Sequence, residues 1–188
     1  MAQAELPPVA DSARATRVAA FRAHLQVPMF RAGYALVLNE GVTSLLGFAY
    51  WLIAAREYTP RVVGINTAAI SAMMFIAGVA QLNLMSALVR FLPVMGEARR
   101  RFIAGCYAVA ACASVLCAAL FLLGVHFWAP ALHALGSSAP MILVFVAATV
   151  AWCVFNLQDA ALTGLGAATI VPIENGVYGI AKIVLLVG

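Results

Sequence analysis

Charge is scarce in this chain of 188 residues. Asp, Glu, Lys and Arg make up 10% of it, against about 25% in a typical soluble protein. No charged residue occurs in the 28 residues between Arg61 and Arg90, or in the 57 residues between Arg101 and Asp159. A helix crosses the roughly 30 Å hydrocarbon core of a bilayer in about 20 residues. These uncharged gaps therefore predict membrane-spanning helices.

The apolar residues in these gaps show no alternation with polar ones. This excludes the strands of a membrane barrel, whose lipid-facing and lumen-facing residues alternate. A hydrophobic content of 65% and a mean hydropathy of +1.01 exclude a small soluble domain, which has too little interior to bury that surface. Only helices and closed barrels satisfy their own backbone in lipid. The sequence therefore predicts an all-α polytopic membrane protein.

Sequence signals of catalysis and of metal binding are also absent. The chain contains no HExxH, P-loop or GxSxG motif, and its three histidines lack metal-ligand spacing to acids. Its four cysteines form no CxxC pair, so we interpret them as packing residues. The net charge of +4 would suit nucleic acid, but the arginines stand at the ends of apolar runs. We therefore expect no enzyme activity, metal, cofactor or nucleic-acid partner.

The apolar runs divide the chain into a tail, residues 1–30, and a membrane region, residues 31–188. About five transmembrane helices are predicted, at residues 33–55, 62–89, 102–123, 140–162 and 173–188. The tail is predicted to be a basic cytoplasmic segment that sets topology. A short interfacial helix over residues 18–29 is the alternative.

The arginines set the expected orientation, because cytoplasmic loops carry an excess of basic residues. Eight arginines belong to the tail, counted through Arg31 at its end, and to the loop after the second span, which lie on one side of the membrane. Only Arg56 and Arg61 belong to the loop after the first span, on the other side. We therefore predict a multi-pass protein of the cell membrane with a cytoplasmic N-terminus.

Ionisable side chains inside a span are the first candidates for function, since they are costly there and usually face a protein interior or a wet cavity. Glu40 is the clearest, about 10 Å past the cytoplasmic edge of the first span at 1.5 Å per residue. Its alternative role is an ion pair with an arginine at the cytoplasmic rim. Gln81 and Asn83 add polar groups to the second span, where we expect them to bond a neighbouring helix.

Three further charges belong to the last two spans. Asp159 and Glu174 lie near span ends, where solvation is the alternative, and Lys182 lies two turns deeper than Glu174. Glu174 and Lys182 are about 80° apart around their helix, so they can face one cavity or pair with a neighbouring helix. The residues predicted to line a substrate cavity are Asn39, Glu40, Arg90, Asp159, Glu174 and Lys182.

Several short segments resemble polysaccharide flippases, members of the superfamily that also holds multidrug and toxin extrusion transporters and the lipid II flippases. The resemblance covers roughly residues 30–188. The segments that show it are SLLGFAYWLIAAR (44–56), YTP (58–60), AQLNL (80–84), ALVRFLP (87–93), FNLQDAALTG (155–164) and VPIEN (171–175).

This resemblance implies two six-helix bundles, 12–14 spans in all, around a central cavity that works by alternating access. The chain would then be an incomplete N-terminal bundle, and the remaining half of the transporter or a homo-oligomer would complete the cavity. The implied function is flipping or export of a lipid-linked oligosaccharide or polysaccharide precursor. Two alternatives stay open: a drug or metabolite cation antiporter of the same superfamily, and a non-transporting membrane fragment or scaffold. The abrupt end at Gly188 favours the fragment.

Cysteine labelling tests the predicted orientation. In a background without the four native cysteines, Ser137→Cys should react with an impermeant thiol reagent added outside the cell, because the loop after the third span is predicted to face outward. Ala98→Cys should react only when the reagent reaches the cytoplasmic side. The opposite labelling pattern would overturn the orientation.

Overall fold

The computed structural model describes the backbone of residues 28–187 and the side chains of residue 30 and residues 33–187. The predicted basic tail and its interfacial-helix alternative lie almost entirely outside the described residues. Within them the chain has no strand and six α-helices. These are α1 (Pro28–Glu57), α2 (Pro60–Ala80), α3 (Leu84–Phe91), α4 (Arg99–Trp128), α5 (Ala139–Gly164) and α6 (Val171–Val187).

The prediction of an all-α polytopic membrane protein is confirmed. Helices α1, α2, α4 and α5 are long and apolar enough to cross a membrane. Helix α6 corresponds to the predicted fifth span, and its 17 residues are apolar apart from Glu174, Asn175 and Lys182. At about 1.5 Å per residue α6 is roughly 25 Å long, so its crossing of the bilayer stays a prediction.

Proline residues mark where three of these helices begin. Each proline lies in the first turn of one helix: Pro60 in α2, Pro140 in α5 and Pro172 in α6. The first turn of a helix has backbone N–H groups without intrahelical partners, so the missing N–H of proline costs little there. The prolines therefore separate consecutive spans without breaking any of them.

The second predicted span is not one continuous helix. The sequence predicts a single span over residues 62–89, but the structure has α2 and α3 with a break between them. Leu82 and Asn83 have φ angles of 48° and 59°, the left-handed conformation that ends a right-handed helix. Asn83 tolerates it better than most residues and accepts a hydrogen bond from Ser86 Oγ at 2.7 Å. Because hydropathy contains no information on backbone conformation, the apolar run did not predict the break.

The break also changes the interpretation of the polar residues beside it. Gln81 caps the C-terminus of α2 through its backbone, and the Asn83 side chain bonds only the first turn of α3. Among the described residues, neither side chain hydrogen-bonds to another spanning helix. The prediction that Gln81 and Asn83 bond a neighbouring helix was therefore wrong.

Helices α2–α5 pack together around a core of small side chains. Ala77, Ala80, Ala110 and Cys153 are completely buried, and Cys106 is nearly so. Small residues let membrane helices approach closely, which matters because lipid provides no hydrophobic drive for helices to associate. The structure describes all four cysteines as free thiols, and Cys106 and Cys153 serve as packing residues as the sequence predicts.

Helix α1 packs chiefly along α6 and has little contact with α2. The two helices pack tightly at Gly179, where an added Cβ would lie 3.2 Å from Leu46 Cβ. The Tyr58 hydroxyl donates a hydrogen bond of 3.1 Å to the Leu186 carbonyl. The fold is therefore an α1–α6 pair beside an α2–α5 bundle, and the space between them contains the candidate site.

Helix α3 is held against the end of α5 by a close backbone approach. Leu88 and Leu92 are completely buried there. A Cβ added to Gly164 would lie 2.8 Å from the Leu88 carbonyl oxygen and 3.1 Å from Leu92 Cβ. The glycine at the end of α5 therefore sets how closely α3 packs, while the opposite side of α3 is left open.

Gly164→Ala should destabilise the protein, because the new methyl group meets a backbone oxygen that cannot move alone. Overpacking of this kind costs on the order of 1–3 kcal/mol, which should lower the midpoint of thermal unfolding in mild detergent by several degrees. The control is Gly105→Ala in α4, where an added Cβ has no neighbour within 4 Å. Equal midpoints for the two variants would contradict the packing.

Candidate functional site

Two polar cavities lie side by side between the α1–α6 pair and the bundle. The Arg90 cavity, of about 540 Å³, lies among α1, α3 and α5, and its lining includes Leu36, Glu40, Met85, Arg90, Asp159 and Thr163. The Lys182 cavity, of about 380 Å³, lies among α1, α5 and α6, and its lining includes Glu40, Trp152, Phe155, Asp159, Tyr178 and Lys182. Both cavities therefore have charged side chains in their lining.

The two cavities share a boundary of three residues. Asn39, Glu40 and Asp159 line both of them. The Asn175 side chain of α6 donates hydrogen bonds to Asn39 Oδ1 at 3.0 Å and to Asp159 Oδ2 at 3.1 Å. Asn39 and Asn175 are each only 7% exposed. We call Asn39, Asp159 and Asn175 the amide bridge, since one amide group connects α1, α5 and α6.

The acidic residues around the bridge have different partners. Glu40 is exposed on the cavity side of α1 and shares the Arg90 cavity with Arg90, but the two form no salt bridge. Asp159 Oδ1 is buried and has no hydrogen-bond partner in the described part of the chain, while its other oxygen belongs to the bridge. Glu174 accepts a hydrogen bond from Gln158 Nε2 on α5. Glu174 does not line either cavity.

The two cationic side chains that line the cavities contact aromatic rings. Lys182 Nζ lies 4.5 Å from the centroid of the Tyr50 ring and 5.9 Å from that of Tyr178. The Arg90 guanidinium lies 5.6 Å from the ring of its neighbour Phe91. Among the side chains that the structure describes, neither cation has a carboxylate at salt-bridge distance. Each positive charge is therefore available to a ligand.

Three aromatic rings form one continuous wall of the Lys182 cavity. Trp152 stacks on Phe155 at 5.9 Å between centroids with an interplanar angle of 28°. Tyr178 contacts both, at 5.2 Å from Phe155 and 6.1 Å from Trp152. We call Trp152, Phe155 and Tyr178 the aromatic wall. It joins α5 to α6 on the side of the cavity that Lys182 also borders.

The structure brings together five of the six residues that the sequence singled out. Asn39, Glu40 and Asp159 line both cavities, and Arg90 and Lys182 line one each. Glu174 is the exception. The expectation that Glu174 and Lys182 face one cavity fails, because Glu174 bonds Gln158 across the α5–α6 contact instead. Gln158 is neutral, so this contact is a hydrogen bond to a neighbouring helix and not the ion pair given as the alternative.

Sequence reasoning did not assign Asn175 or the aromatic wall to the site. The sequence of α6 does contain a signal for Asn175. Asn175, Gly179 and Lys182 are spaced by four and three residues, so they share one helix face. No comparable signal links Trp152 or Phe155 to α6, because that contact depends on how α5 and α6 pack. The sequence alone does not distinguish an aromatic residue that lines a cavity from one elsewhere in an apolar span.

Within the described residues no group of three His, Cys, Asp or Glu side chains is arranged to hold a metal ion. No protein-family model, curated protein or solved structure matches the chain. The resemblance to polysaccharide flippases therefore stays a prediction. The geometry of the two cavities is the basis for a functional proposal.

Replacing the central amide of the bridge should destabilise the protein. Asn175→Leu keeps the number and branching of the side-chain heavy atoms but leaves Asn39 Oδ1 and Asp159 Oδ2 without their donor, and a buried polar group without a partner costs about 1–3 kcal/mol. The midpoint of thermal unfolding in mild detergent should fall accordingly.

The matched control for this substitution is Asn156→Leu. Asn156 lines the same Lys182 cavity, and the structure gives its side chain no hydrogen bond to another described residue. Its replacement should therefore shift the midpoint much less. Equal losses of stability in the two variants would contradict the role of the amide bridge.

Proposed function

We propose that this protein is a transporter of the cell membrane that flips a lipid-linked oligosaccharide or polysaccharide precursor by alternating access. The observation that carries this proposal is the pair of charged cavities on either side of the amide bridge. A transport path needs a polar space at membrane depth and a closure that divides it. The charged lining of the Arg90 and Lys182 cavities supports the first requirement, and the amide bridge between them supports the second.

The cost of the cavity charges supports a functional role. A charge at the centre of a spanning helix costs on the order of 2.5–3.5 kcal/mol on insertion scales. A purely structural pair would offset part of that cost by bonding Glu40 to Arg90, or Lys182 to Asp159. The described residues do not form these pairs. Charges kept unpaired inside a membrane are typical of a substrate or ion path.

The two cations supply binding groups for an anionic headgroup, beside the two carboxylates of Glu40 and Asp159 that both cavities share. Each cavity contains one cation, and the bridge separates the two. An arginine binds a phosphate through two parallel hydrogen bonds, and a lysine binds it as a point charge. A diphosphate headgroup would then move from Arg90 to Lys182 when the bridge opens, while its lipid tail stays in the bilayer. With the predicted orientation, Arg90 and the arginines that begin α4 lie at the cytoplasmic entrance.

The break between α2 and α3 supports the proposed motion. A helix interrupted by two left-handed residues bends there more easily than in a continuous run. Helix α3 contributes Met85, Ser86, Val89 and Arg90 to one side of the Arg90 cavity. A hinge at Leu82 and Asn83 would therefore change the shape of this cavity without disturbing α2.

Neither cavity is enclosed by the described chain. In the proposed transporter further helices border the open side and leave a lateral gap to the bilayer; they come either from the remaining half of the transporter or from a second copy of this chain. A lipid-linked substrate requires such an opening, since its tail must remain in contact with the bilayer.

One observation favours a second candidate function. Glu40 and Asp159 line both cavities, and two acids at one boundary would attract a drug or metabolite cation. A cation antiporter would use them as the binding groups. The unpaired Arg90 and Lys182 oppose this function because each places a positive charge in the path.

A flipping assay on the native protein tests the proposal. Proteoliposomes containing a fluorescent lipid-linked disaccharide should show protein-dependent movement of the label to the leaflet that is accessible to an impermeant quencher. Glu40→Gln should lower the flipping rate by about tenfold or more, equivalent to about 1.4 kcal/mol, because both cavities lose one of the two carboxylates at their shared boundary.

Glu57→Gln is the control, since Glu57 is exposed at the end of the same helix. It should flip the lipid at the unaltered rate. Normal flipping by Glu40→Gln would show that Glu40 has a structural role. Protein-dependent efflux of a cationic dye with no movement of the lipid would favour the antiporter.

A further inference from the structure

We propose that the Lys182 cavity is a saccharide site, in which the aromatic wall stacks on the face of a sugar ring and neighbouring polar groups bind its hydroxyls. This inference rests on the proposed function for the nature of the cargo. It adds which of the two cavities receives the glycan, and which residues select it.

The aromatic wall provides the apolar half of such a site. Trp152, Phe155 and Tyr178 present adjoining rings, and Tyr178 is 42% exposed. Aromatic faces carry partial negative charge, and the C–H bonds on one face of a pyranose carry partial positive charge. A sugar ring can therefore lie flat on the wall. The Arg90 cavity has no tryptophan, tyrosine or phenylalanine in its lining.

Polar groups with unused hydrogen-bonding capacity provide the other half. The Asn156 amide has one acceptor and two donors, and it bonds no other described residue. Asp159 also lines the cavity, with its Oδ1 buried and without a partner among the described residues. Glu40 on α1 adds a second carboxylate. An amide beside carboxylates suits neighbouring sugar hydroxyls, each of which is both a donor and an acceptor.

The position of Lys182 argues against an organic cation in this cavity. A quaternary ammonium would seek the face of an aromatic ring, but Lys182 Nζ already lies over Tyr50 and within 6 Å of Tyr178. Its charge would repel a second cation there. A neutral or anionic sugar meets no such repulsion, and an acidic substituent or phosphate would gain from the ammonium.

The size of the cavity fits a short saccharide. Small-molecule sites occupy about 300–1,000 Å³, and the Lys182 cavity is about 380 Å³. This volume matches the sugars nearest the lipid of a lipid-linked glycan better than a long chain. Longer glycans would extend through the open side of the cavity.

Trp152 provides a direct reporter of binding. The chain has three tryptophans, so Trp51→Phe with Trp128→Phe leaves Trp152 as the sole one. The variant in phosphatidylcholine nanodiscs is titrated with octyl glucoside below its micelle concentration. Two amphiphiles with the same alkyl chain are compared with it: octyl tetraethylene glycol ether, which is neutral and has no sugar, and octyltrimethylammonium, which is a cation.

We expect a saturable change of Trp152 fluorescence with the glucoside alone. Phe155→Leu in the single-tryptophan protein should weaken the apparent affinity by about tenfold, the scale of one lost aromatic contact. Phe127→Leu is the control, since Phe127 is 89% exposed on α4 and outside the cavity lining. Monodisperse elution of each variant establishes that it is folded.

An equal response to the glycol ether would show partitioning of the alkyl chain and would overturn the saccharide site. A response to the trimethylammonium probe alone would overturn it in favour of a cation site. The flipping assay separates this inference from the proposed function. A glucoside response without flipping leaves the saccharide site standing and refutes transport, whereas flipping without a Trp152 response refutes the saccharide site alone.

Discussion

The two hydrogen bonds of the Asn175 amide are the contact on which the arrangement of the site depends. They join α1 to α5 through α6, and α1 otherwise packs chiefly on α6. In lipid an unsatisfied polar group has no water to replace a lost partner. The need to satisfy Asn39 and Asp159 therefore holds the α1–α6 pair at a defined position beside the bundle. The two cavities lie on either side of this contact, where side chains do not fill the space between the α1–α6 pair and the bundle.

The bundle is held together by a different kind of contact. Helices α2–α5 associate through small buried side chains such as Ala77, Ala110 and Cys153, and Gly164 lets α3 approach α5 at the distance of backbone contact. This packing is dense and apolar. The α1–α6 pair instead meets the bundle through polar and aromatic side chains. A rigid bundle beside a less tightly bound pair is a suitable architecture for the alternating access that we propose, since the pair can move without unpacking the bundle.

Particular residues show where sequence reasoning succeeds and where it fails. Glu40 and Lys182 stood out because a charge in an apolar run is expensive wherever the helix packs. The helix break at Leu82 and Asn83 was missed, because both residues are compatible with an apolar span and only their φ angles distinguish them. Glu174 was assigned to a cavity that it does not line, because angular position on one helix says nothing about the neighbouring helix. Gln158 on that neighbour binds it instead.

The sequence by itself determined that this is an all-α polytopic membrane protein, and that Glu40 and Asp159 lie on helices long and apolar enough to span. Those properties depend on local composition, since transfer of a residue into lipid is a property of that residue and its near neighbours. Only the tertiary structure decided that Asn175 bridges Asn39 and Asp159, and that Trp152, Phe155 and Tyr178 form one wall beside Lys182. These contacts join residues far apart in the chain, and their formation depends on helix packing that no local pattern specifies.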